Sequence, residues 1–76
     1  MQFDNNAVGR VIRGIRRTRG LSQEVVSGLA GIARTHLTMI ETGKKKPNYE
    51  TIWRIAFAFD MRPSELTAMI ETEVGC

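Results

Sequence analysis

Apolar residues return at helical intervals along most of this chain, and turn residues separate the runs. Val8, Val11, Ile12 and Ile15 fall at i, i+3, i+4 and i+7, which is one apolar stripe on a helix. Asn5 or Asn6 is the expected cap at its start. Gly20 is the expected end, after Arg16, Arg17 and Arg19, whose charges suit a helix C-terminus. Ser22 caps a second segment, with Gln23 and Glu24 in its first turn and Val26, Leu29 and Ala30 as its apolar face, and Gly31 stops it. A helix this short does not hold together alone in water, so it has to dock on a neighbour.

The third segment runs from Ala33 to Glu41. Leu37 and Ile40 point inward, while Arg34, Thr35, Thr38 and Thr42 lie on the opposite side, and Gly43 is the natural C-cap. "KKKP" is then a loop, because the proline forces an extended residue before it. Asn48 caps a fourth helix carrying Ile52, Ile55, Ala56 and Phe59. "DMRPSEL" is a break and restart, with Pro63 at the first helical position and Leu66, Met69 and Ile70 on the apolar side of a fifth helix. The pattern predicts an all-α protein, a compact bundle of five short helices.

Composition narrows the possibilities. With 76 residues, 42% of them hydrophobic, the chain makes one domain over residues 1–76. Cys76 is the single cysteine, which rules out an internal disulfide, and no His/Cys cluster offers metal ligands. No apolar run reaches the roughly 20 residues of a membrane span, and "MQFDNNAVGR" lacks the basic and apolar start of a secretory signal. The expected location is the cytoplasm, and no cofactor is expected. One histidine, no glycine-rich phosphate loop and no paired carboxylates argue against an enzyme.

Charge is distributed unevenly along the chain. Residues 1–48 hold nine Lys/Arg against three Asp/Glu, and residues 49–76 hold two against five. The molecule is therefore polarised, and its basic half is suited to a polyanion. Within that half, two short helices meet at "AGIA", the arrangement of a helix-turn-helix. Packing of Val26, Leu29 or Ala30 on Leu37 and Ile40 would hold the third helix with its polar side outward. An α-helix is about 12 Å across with its side chains, which fits a DNA major groove. Arginine can bond a guanine edge twice, and threonine offers a hydroxyl and a methyl.

"LSQEVVSGLAGIARTHLTMIETGKKKPNYETIWRIAFAFDMRPSEL" resembles the lambda-repressor-like helix-turn-helix family, the Cro and xenobiotic-response-element type of regulator. The resemblance extends from about Val8 to Ile70 and rests on the order and spacing of "LSQE", "GI" and "IETGKKKP". It implies a transcriptional regulator, a repressor or controller, that binds double-stranded DNA as a homodimer on a palindromic operator. It implies base contacts from Arg34, Thr35, Thr38 and Met39, and phosphate contacts from Gln23, His36, Thr42, Lys44, Lys45 and Lys46. It also implies a structural salt bridge between Arg16 and Glu41. The chain departs from the family pattern at Ala33, where a Ser or Thr cap is usual; at Val25, Ser27 and Leu29 in helix two; and at Trp53, Phe57 and Arg62.

Those departures raise two further expectations. Trp53 and Phe57 stand four apart and partly around the helix from Ile52, Ile55, Ala56 and Phe59. A dimer interface on helices four and five follows, with Trp53, Phe57, Met61 and Met69 near it. Val25 and Leu29 are expected to widen the core contact, with a second apolar surface as the alternative. An apolar surface also leaves open another class of function, a protein-interaction module such as an antitoxin that binds a partner protein.

Overall fold

Asp4, and not Asn5 or Asn6, caps the first helix in the computed structural model, which describes residues 2–75. Its carboxylate accepts from the Asn6 amide at 2.9 Å, and the negative charge complements the helix N-terminus better than an asparagine would. Five helices follow: α1 (Asn5–Thr18), α2 (Gln23–Ala30), α3 (Arg34–Glu41), α4 (Tyr49–Ala58) and α5 (Pro63–Val74). Ser22 Oγ accepts from Val25 N at 3.1 Å to start α2, and Asn48 Oδ1 accepts from Thr51 N at 2.8 Å to start α4. Pro63 opens α5, and Glu65 reaches back to the Arg62 amide at 2.8 Å. Cys76 lies outside the described residues.

α1 packs on α3 and α5, α2 packs on α3 and α4, and α4 packs on α5. The core is the shared interior, in which Ile12, Leu37, Ile40, Ile55, Phe59 and Leu66 are essentially inaccessible to solvent. The α1 stripe of Val8, Val11, Ile12 and Ile15 is buried throughout its length. Among the described residues there is no strand, and no helix is long and apolar enough to cross a membrane.

Two expectations about apolar faces are corrected. Val25 and Leu29 are 47% and 54% exposed, so neither widens the core. Only the stripe of Val26, Ser27 and Ala30 meets α3 and α4; a helix of eight residues squeezed between two neighbours has no third partner to cover its flanks. On α5, Leu66 and Ile70 turn inward, whereas Met69 is 44% exposed at the rim of a groove between α1 and α5.

Two glycines of α1 have opposite structural meanings. A Cβ on Gly9 would lie 2.6 Å from the Ile40 carbonyl oxygen and closer still to that of Glu41, so α1 can cross the end of α3 only without a side chain there. A Cβ on Gly14 would meet nothing within 4 Å. Gly9→Ala should destabilise by about 1–3 kcal/mol through overpacking against rigid backbone. Gly14→Ala should stabilise by up to about 1 kcal/mol through helix propensity. Urea unfolding of the two variants checks the pair, and equal signs would contradict this packing.

Candidate nucleic-acid interface

α3 owes its orientation to what it buries. Leu37 and Ile40 are fully enclosed, which turns the other side of the helix outward. Arg34, Thr35 and Met39 are exposed on that side, with Thr38 and His36 half-buried. Ala33 supplies no side-chain cap, so the first amides of α3 lack the partner a Ser or Thr would offer.

A polar network sets the pitch of α3 against its neighbours. Arg16 Nε donates to Glu41 Oε2 at 2.7 Å and Nη2 donates to Glu41 Oε1 at 3.0 Å, a bidentate pair with side chains only 13% and 2% exposed. Arg16 Nη1 donates to the Leu21 carbonyl at 3.0 Å, just before α2. Gln23 Nε2 donates to Glu41 Oε1 at 3.1 Å, so one carboxylate ties α1, α2 and α3 together. The hydrogen bond to Glu41, against the opposing effect of burial, holds the Arg16 guanidinium above its usual range, and the pair stays charged on the arginine side.

The lysine loop is built by the end of α3. Gly43 takes a left-handed conformation (φ 77°), which allows Lys44 N and Lys45 N both to bond the Met39 carbonyl, at 2.9 and 3.2 Å. The three lysines thus leave the C-terminal end of α3, where positive charge is favoured, beside the outward face. Lys44, Lys45 and Lys46 are all exposed, but Lys46 Nζ sits 5.1 Å from the Phe3 ring centroid, a cation–π contact. Thr42 is exposed, and its hydroxyl donates to the Thr38 carbonyl at 2.9 Å.

The structure groups the remaining candidates unevenly. Arg34, Thr35, Thr38 and Met39 share one face with the lysine loop beside it. The Gln23 side chain is half-buried and faces Thr38 and Glu41, so its amide is shared between the interior and the surface. Trp53 and Phe57 are 56% and 75% exposed and line one groove with Leu29, between α2 and α4. Met61 and Met69 line a different groove, between α1 and α5, so the four residues expected at one interface divide between two surfaces. Tyr49, not anticipated, packs edge-on against Trp53 with ring centroids 6.4 Å apart.

The Gln23–Thr38 link and the Gly9 contact were also not anticipated. Gly9 and Arg16 are seven residues apart on α1 and so share the face that meets α3, which is the sequence signal for that contact. The link between Gln23 and Thr38 spans a turn and has no comparable signal.

Residues 12–66 match the model of the helix-turn-helix family HTH_3. The chain is similar to y4dJ of Sinorhizobium fredii (strain NBRC 101917 / NGR234), an HTH-type transcriptional regulator, with 33% identity over 69 residues and 90% of each chain covered. It is also similar to the restriction-modification controller protein C.AhdI from Aeromonas hydrophila. That crystal structure matches with a TM-score of 0.78 and 32% identity, covering 82% of this chain and 94% of that one. The controller protein C.Esp1396I, solved as a tetramer with its natural 35 base-pair operator, shares the fold at a TM-score of 0.86, with 22% identity and 97% of each chain covered. This chain belongs to the helix-turn-helix family of transcriptional regulators.

Proposed function

We propose that the protein is a sequence-specific double-stranded DNA-binding regulator, a repressor or controller acting in the cytoplasm without catalysis, that binds a palindromic operator as a homodimer. The observation that carries this reading is α3 itself: its apolar side is buried, and its polar side is exposed next to three exposed lysines. In this reading α3 enters the major groove, where Arg34, Thr35, Thr38 and Met39 meet base edges. Gln23, His36, Lys44, Lys45 and Lys46 meet phosphates on either side, and Thr42 joins them by turning its hydroxyl from the Thr38 carbonyl to a phosphate oxygen. C.Esp1396I, which has the same fold, holds its operator as a tetramer.

Arg34 gives the direct test. Arg34→Ala should cost about 1–3 kcal/mol on the preferred duplex and relax preference at one base position. Equal weakening on every duplex would make Arg34 a phosphate ligand instead.

For the homodimer, the α2–α4 surface is the better candidate, because Leu29, Trp53 and Phe57 form one exposed apolar groove. Trp53→Lys should convert a dimer to a monomer that retains its helical content, read by light scattering and circular dichroism. A variant that folds and keeps its dimeric mass rules this face out.

A further inference from the structure

The hydroxyl proton of Thr38 is committed inside the protein. In its ion pair with Arg16, Glu41 offers only acceptors, so the Gln23 amide atom 3.1 Å from Glu41 Oε1 must be the nitrogen. That leaves the amide only one of its two flips, with Oε1 facing Thr38 Oγ1 at 3.1 Å. An amide oxygen cannot donate, so the Thr38 hydroxyl does. Its other neighbour, the Arg34 carbonyl at 3.1 Å, is also an acceptor. Two internal acceptors therefore compete for one proton, and only lone pairs and the methyl group remain for the outside. Thr35 differs: it is exposed, and among the described residues its hydroxyl has no internal partner, so it can donate or accept.

We propose that Thr38 reads its base as a hydrogen-bond acceptor, facing the exocyclic amine of adenine or cytosine, and that Gln23, oriented by Glu41, is the positioning residue that fixes this polarity. The proposal rests on the DNA-binding reading above. In the major groove, adenine N6 and cytosine N4 are the donors, whereas guanine O6, thymine O4 and purine N7 are acceptors. Donation runs from Thr38 to Gln23 to Glu41, and Arg16 of α1 donates to the same carboxylate from the other side, which fixes the polarity of the chain at its buried end. The second amide hydrogen of Gln23 is left for a phosphate.

The experiment starts from a selected duplex and the base pair at which Thr38→Val loses preference. Exchanging adenine for purine, or cytosine for pyrimidin-2-one, deletes the amine at that pair. This should weaken wild-type binding about three- to tenfold, the net worth of one hydrogen bond, and leave Thr38→Val unchanged. Replacing N7 of the purine in the same pair by carbon should change wild-type affinity by less than about twofold. Thr38→Ser, which keeps the hydroxyl, should retain the amine penalty. Gln23→Leu, which deletes one internal acceptor, should shrink it.

A penalty for losing N7 and none for losing the amine would mean that Thr38 donates, which overturns the proposal. An undiminished amine penalty in folded Gln23→Leu would remove Gln23 from the role. Unchanged base preferences in folded Thr38→Val would place Thr38 away from the bases, overturning the inference and leaving the DNA-binding reading standing. Absence of any sequence preference in the wild-type chain would overturn that reading itself.

Discussion

Glu41→Ala is expected to lower the stability of the domain by about 3–5 kcal/mol, the usual cost of removing one partner from a buried ion pair. The Arg16 guanidinium would be left with the Leu21 carbonyl as its remaining internal partner, and the Gln23 amide would lose its acceptor. A domain of this size has a total stability of roughly 4–11 kcal/mol, so the loss is a large share of it. Replacing both members, with Arg16→Met and Glu41→Leu, should cost much less than either single change, because no buried charge is then left unpaired. Urea unfolding measures all of these variants. A cost below about 1 kcal/mol for Glu41→Ala would mean that the pair is dispensable and that packing alone holds α1, α2 and α3 in register.

Changing Lys44, Lys45 and Lys46 together to glutamine should reduce the slope of log affinity against log salt by two to three units, roughly 0.9 for each phosphate no longer neutralised. At about 150 mM salt this corresponds to a loss of roughly 100-fold. The stability of the fold should hardly change, since all three side chains are exposed. Among single variants, Lys46→Gln should have the smallest effect, because its ammonium is already drawn to the Phe3 ring. Titrations of a fixed duplex across a salt series check the slope. An unaltered slope in the triple variant would remove the lysine loop from the DNA contact.

Much of this architecture could be read in the chain because its helices are marked at both ends. Ser22, Asn48 and Pro63 start helices where the sequence places them, and Gly20, Gly31 and Gly43 take left-handed conformations just beyond three of them. The outward face of α3 follows from Leu37 and Ile40 alone. Periodicity fails where it must choose which flank of a helix finds a neighbour. Val25 and Leu29 occupy positions that a third packed helix would cover, and Met69 sits one turn from Leu66 and next to Ile70 without sharing their burial. Asp4 is not distinguished by sequence from the two asparagines that follow it, since all three are good cap residues. The candidate site was legible as a set of residues but not as a circuit. Gln23, Thr38 and Glu41 each look like separate surface or pairing residues until the turn between α2 and α3 brings them together.

Sequence-specific recognition by α3 is measured by selecting bound duplexes from a random DNA library at about 150 mM salt. The expected result is enrichment of a two-fold symmetric motif whose half-sites lie about one helical turn apart, roughly 34 Å. Recovery of no enriched motif by a protein shown to be folded would contradict it.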